Sequence, residues 1–185
     1  MSSTPHDPGT RPIPYPAGVV PTAVYSAPVD CYRYALKLTW DEKLPAMMAL
    51  MMNPSAAGHE GSDSTVNKVI RCAMRWGYGT LYVGNSAAYR CKDQSLLDTV
   101  QDPRGPLNDQ HLAEMAGKSD FILLGYGKPK AARMQGAGLD AAMKLVAAGH
   151  GHKMHALVLN GDGTPRHPLY VRNSVEPVRW VPGGR

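Results

Sequence analysis

The sequence predicts an α/β protein: a three-layer sandwich around a central, mostly parallel four-stranded sheet. Three observations carry the prediction. Residues 46–52, 81–84, 121–124 and 156–159 are short, nearly uninterrupted apolar runs, the pattern of strands buried on both faces. Stretches with apolar residues at helical spacing separate most of them, so strand and helix alternate. Each run also ends on turn-forming residues, at Asn53-Pro54, Asn85, Gly125 and Asn160-Gly161.

At 185 residues and 43% apolar content, the chain has the size and composition of one domain with a single core. Seven prolines between Pro5 and Pro28 rule out helix and interior strand there, so residues 1–29 are expected as an extended or disordered Pro-rich arm and residues 30–185 as one α/β domain. A net charge of +5 leans towards a polyanionic partner without requiring one. Cys31, Cys72 and Cys91 form no CxxC pair, and an odd number suits a reducing cytoplasm better than a disulfide framework. No apolar run reaches the ~18 residues of a membrane span, and no signal-peptide core opens the chain.

Taken in order, residues 31–40 alternate Tyr32, Tyr34, Leu36, Leu38 and Trp40 against Arg33, Lys37 and Thr39, the period of a half-buried strand, expected at a sheet edge. Residues 41–43 turn into the Met-rich strand, whose methionines are core filler. Pro54 cannot donate to a ladder and keeps Asn53 out of helix, so that strand stops there. A glycine-containing loop follows, then a helix with Val66, Val69, Ile70, Ala73 and Met74 on one face, capped by Ser64 or Thr65 and stopped by Gly77 or Gly79. A second strand ends at Asn85, and Tyr89, Arg90 and Lys92 lie in the loop beyond it. After a turn at 105–108 comes a short helix over 109–116, then the third strand at 121–124. Residues 129–148 form a helix that Gly136 and Gly138 weaken by ~1 kcal/mol each relative to alanine, enough to break it. The fourth strand leads through Asn160-Gly161-Asp162-Gly163 to Arg166-His167-Pro168-Leu169, and the tail is irregular with Trp180 packed on the body. There is no internal repeat.

This topology gathers Asn53, Asn85, Tyr126 and His167 at the carboxyl rim of the sheet, where open α/β folds bind ligands. No Gly-x-Ser-x-Gly elbow, Walker loop or dinucleotide fingerprint is present, and no cofactor or metal site is expected. His150, His152 and His155 have a spacing that could bind a metal, but without an acidic or cysteine partner a solvated turn is favoured. Amides read an edge that shows a donor beside an acceptor, and an imidazole can donate to an oxygen gaining charge. Those are the needs of a site that handles a pyrimidine.

Met52-Asn53-Pro54-Ser55 resembles the first motif of the uracil-DNA glycosylase superfamily, Asn-Pro-Gly in its mismatch-specific and single-strand-selective branches. Residues 81–86, ending in Asn85-Ser86, are similar to that superfamily's second strand with its base-reading asparagine, and residues 121–125 to its third. His167-Pro168 resembles its His-Pro-Ser motif. More closely, Asn53-Pro54-Ser55, residues 75–79, Asn85 and residues 163–170 resemble an uncharacterised bacterial and phage domain family, over about 46–180. The resemblance implies a uracil-DNA-glycosylase-like fold and, residue by residue, a mechanism. Asn53 would position the attacking water or nucleophile, Asn85 would read the polar edge of a flipped pyrimidine, and His167 would stabilise charge on the base oxygen. Ser55 and Tyr126 would line the substrate pocket, Arg90, Lys92 and Arg166 would hold phosphates, and Leu169 or Tyr170 would wedge into the vacated stack.

Departures from the glycosylase pattern widen the choice. Asn53 cannot be a general base, Ser55 stands in place of glycine, and Leu169 in place of the serine after His-Pro. Glu60 and Asp63 are the best-placed carboxylates for a missing base. The leading expectation is a glycosylase-like enzyme acting on a uracil- or thymine-type base in DNA. The alternatives are a hypermodification transferase joining a small nucleophile, such as an amino acid, to an activated hydroxymethyluracil, and a non-catalytic nucleotide- or DNA-binding module.

Overall fold

The computed structural model describes residues 12–183. The first part of the proline-rich arm therefore lies outside the described residues. The strands are β1 (Val20–Tyr25), β2 (Arg33–Thr39), β3 (Ala46–Met51), β4 (Thr80–Asn85), β5 (Phe121–Leu124), β6 (Met154–Ala156) and β7 (Val178–Arg179). The helices are α1 (Ser64–Arg75), α2 (Asn108–Gly117) and α3 (Ala137–Ala147).

All seven strands form one mixed sheet in the order β1-β2-β4-β3-β5-β6-β7. The four runs read as buried strands are its parallel centre, β4-β3-β5-β6. Three antiparallel strands enlarge it beyond the four expected: β1 and β2 on one side, β7 on the other. β2 is consequently interior rather than an edge, because β1, inside the proline-rich stretch, pairs along its whole length. Pro21 is tolerated there since an edge strand need not donate on its outer side.

The two faces are covered by different helices, giving three layers. Met47, Ala49 and Met51 pack with Val66, Val69 and Ile70 of α1. Met48 and Leu50 pack with Leu112 and Met115 of α2 and Ala141 and Leu145 of α3. The methionines of β3 are thus fully buried core, each contributing ~1.5–3 kcal/mol of transfer free energy. Trp180 is buried in the second cluster.

Local departures have local causes. Asp63, not Ser64 or Thr65, caps α1, its Oδ1 accepting from the Val66 N–H at 2.8 Å. The helix expected over 129–148 is a short 3-10 turn at Ala132–Met134 and then α3, broken at Gly136, whose φ of +79° ends the first turn. β6 is earlier and shorter than expected. Residues 157–159 continue into a narrow hairpin closed by a Leu159–Pro165 bridge. His150 and His152 lie in a 3-10 turn, while the His155 ring stacks on Phe121 at 4.3 Å.

Candidate functional site

β3 leads through Met52 into Asn53, and β5 leads into Gly125-Tyr126-Gly127. The helix after β3 covers one face and α3, after β5, covers the other, so a crevice opens between their carboxyl ends. It is about 410 Å³, within the range of small-molecule sites, and Asn53, Ser55, Asn85, His167 and Leu169 all line it, with Arg33 and Asp63. A second lobe of about 470 Å³ adjoins it, sharing Met52, Gln94 and His167, and is lined by Lys128, Lys130 and Arg166. Residues from remote parts of the chain thus converge as the topology requires.

The Asn53 Nδ2 donates to the Cys91 carbonyl at 2.7 Å and the Pro54 carbonyl at 3.1 Å. Both partners only accept, so the amide orientation is fixed and Oδ1 is the atom left for a ligand. Asn85, buried at the end of β4, accepts on Oδ1 from Arg33 Nη2 at 2.9 Å, and its carbonyl accepts from Asn108 Nδ2 at 2.8 Å. The His167 segment is brought in by the hairpin of residues 157–166 and by two glycines. A Cβ on Gly125 would sit 2.7 Å from Pro168 Cδ, and one on Gly127 3.1 Å from His167 Cβ. His167 is half-buried, and its Nδ1 accepts from the Leu169 N–H at 3.3 Å. The neutral ring therefore carries its proton on Nε2. Burial lowers the His167 pKa, Asp63 opposes that shift, and Lys68 adds to it.

Two expected residues are elsewhere. Tyr126 is buried against Gly138, with Leu139 and Trp180, in a separate cavity; the chain turns it to the α3 side, and burial raises its hydroxyl to about 12. Arg90 is held away from the crevice by an ion pair with Asp30 at 2.5 Å and by the Tyr25 ring, 4.8 Å below its guanidinium. Arg166 is exposed in the second lobe, its Nε donating to Asn160 Oδ1 at 3.1 Å. Lys92 is exposed at the crevice, Leu169 is exposed on its rim, and Tyr170 lies on the rim of the second lobe. Of the two carboxylates, Asp63 lines the crevice but is engaged in capping α1, whereas Glu60 is exposed beside His59.

Sequence reasoning missed Arg33. Alternation assigned it to the solvent face with Lys37, yet it is only 2% exposed and lines the crevice. Its Nη1 donates to the Ala57 carbonyl at 2.5 Å, and its buried Nε has no partner among the described residues. Desolvation pulls its pKa down to about 10. The signal lay in the pairing: antiparallel β2 sets Leu36 opposite Val83, which carries Arg33 to the rim beside Asn85.

Fold and site together define an α/β protein with an amide- and imidazole-lined crevice at the carboxyl rim of its parallel strands. The chain belongs to the family described as a protein of unknown function, DUF1643, whose model matches residues 33–169 and so spans every residue of the crevice. No curated protein and no solved structure matches the chain.

Proposed function

We propose that the protein is an enzyme acting on a pyrimidine base in DNA, excising a flipped uracil- or thymine-type base in the manner of the uracil-DNA glycosylases. The observation that carries this reading is the convergence of Asn53, Asn85 and His167 on one crevice. Their free hydrogen-bonding atoms suit the chemistry. As the glycosidic bond breaks, its electron pair passes to the base and charge gathers on the base oxygen. The His167 Nε2–H stabilises that charge. Asn53 Oδ1 holds a water whose oxygen bonds to the sugar carbon, and the water's surplus proton passes to solvent. The released base anion takes a proton from solvent, and Asn85 holds the base edge. With Asn53 unable to take a proton, the rate depends on placement and charge stabilisation. Ser55 lines the base pocket, Lys92 and Arg166 hold phosphates, and exposed Leu169 or Tyr170 fills the vacated stack. The net charge of +5 favours approach to DNA.

The second lobe favours one other reading. Its volume beside His167 has room for a co-substrate, as a transferase attaching a small nucleophile to an activated hydroxymethyluracil would need. Incubation with DNA containing uracil, or hydroxymethyluracil activated as its phosphate ester so that phosphate can leave, separates the two. Abasic sites mark excision, a mass gain on the base in the presence of an amine marks transfer, and binding with neither product marks a non-catalytic module. Asn53→Ala and His167→Ala should each suppress the product by about 10²-fold or more; unchanged rates would remove both residues from the mechanism.

A further inference from the structure

We propose that Arg33 sets the base preference of this crevice: by holding the Asn85 side-chain oxygen Oδ1, it turns the Asn85 NH₂ group towards the cavity and commits the site to a base edge bearing a carbonyl oxygen. The inference rests on the base-binding reading above and adds to it the residue that decides which pyrimidine is accepted.

The argument is one of donors and acceptors. An asparagine amide can face either way, and only its partners decide which. Arg33 Nη2 lies 2.9 Å from the Asn85 side chain, and a guanidinium has donors and no acceptor. The contacting atom must therefore be the amide oxygen. Asn85 Nδ2 has no protein partner among the described residues, and Asn85 lines the crevice. Arg33 cannot easily release its hold. It is 2% exposed, anchored to the Ala57 carbonyl, and has no carboxylate in ion-pair contact among the described residues. Asp63, which shares the crevice, spends Oδ1 on the cap of α1. A buried cation with so few partners keeps each contact it has, because losing one leaves a charge unsatisfied.

The result is a crevice with two amides locked in opposite senses, Asn53 presenting an oxygen and Asn85 a nitrogen. At ring position 4, uracil and thymine offer a carbonyl where cytosine offers an amino group. The carbonyl satisfies the Asn85 donor, whereas an amino group faces it donor to donor.

The test uses the full chain and free uracil and cytosine as probes, with binding followed by NMR on the Asn85 side-chain NH₂ resonances. Wild-type protein should bind uracil at least about tenfold more tightly than cytosine and shift those resonances on binding uracil. In Arg33→Met and Arg33→Gln, which no longer force the amide one way, the ratio should fall below about threefold. Arg33→Lys keeps a donor-only cation and should keep the preference. Should Arg33→Met fail to fold, the Gln and Lys variants decide between them, since the ratio of affinities is insensitive to a general loss of stability. A preference retained in folded Arg33→Gln would overturn the role of Arg33 and leave the base-binding reading standing. Wild-type protein that binds both bases equally would overturn the proposed preference, and wild-type protein that binds neither would overturn the base-binding reading itself.

Discussion

Asn53 and His167 each combine a structural contact with a free polar atom, and the two parts can be separated. Asn53 uses its NH₂ to satisfy two carbonyls and keeps its oxygen for the crevice. Asn53→Asp keeps the shape but sets an acceptor against acceptors, so it should cost about 1–3 kcal/mol at neutral pH in urea denaturation. A loss near zero would mean that the amide does not hold the loop. For His167 the relevant quantity is a proton. Burial lowers its folded pKa, so the folded chain binds that proton less readily than the unfolded chain. The stability this contributes is complete above the ordinary imidazole value of about 6.5 and is lost as pH falls through it towards the folded value. His150, whose pKa burial also lowers, acts in the same direction. Denaturation midpoints should therefore fall between about pH 7.5 and pH 5.5, and His167→Gln should flatten part of that fall. A variant with the wild-type slope would show that His167 titrates normally.

At the scale of elements, α1 supports the rim because its cap residue is also a wall of the crevice. Asp63→Ala should cost about 1 kcal/mol through the lost bond to the Val66 N–H, while Asp63→Asn, an equally good cap, should cost a few tenths at most. Equal losses would point to charge rather than capping. The helix itself was legible from the spacing of Val66, Val69, Ile70 and Ala73, all buried in the structure, although Met74, read on the same face, is exposed. Its cap was misplaced by one residue because serine, threonine and aspartate are interchangeable signals and only geometry selects among them. The same limit explains Tyr126 and Arg90. Sequence placed both in rim loops correctly, but which way a loop side chain turns depends on neighbours distant in the chain, here Gly138 for one and Asp30 for the other. Asn53 and Asn85 could be placed at the crevice because they stand at strand ends, where topology fixes the location, whereas His167 reaches it through the hairpin after β6.

For the whole molecule, the parallel centre was readable because strands buried on both faces write themselves as apolar runs. The antiparallel flanks were not: β1 lies in proline-rich sequence, and β7 has only two residues, both exposed. That flank has a consequence for the site. The chain ahead of the matched family region does more than extend the sheet, since it also braces the loop that carries Ser55. Ile13 bridges Ser62, the Tyr15 hydroxyl donates to the Gly58 carbonyl at 2.6 Å, and Asn67 Nδ2 donates to the Pro14 carbonyl at 3.0 Å. The Tyr25 hydroxyl approaches His59 Nδ1 at 3.3 Å, and a Cβ on Gly58 would overlap that hydroxyl. Deleting residues 1–31 should therefore have two effects. It should bare the β2 edge, so that the truncated chain self-associates at micromolar concentrations where the full chain does not. It should also loosen residues 55–62, read as lost hydrogen-exchange protection at Gly58 and Ser62, whose N–H groups are bonded in the intact fold. Tyr15→Phe isolates one brace and should cost about 1 kcal/mol without exposing the edge. If the deletion left protection at Gly58 intact, the loop would be held by its own Gly58–Gly61 bridge, and the segment before Arg33 would matter to the sheet alone.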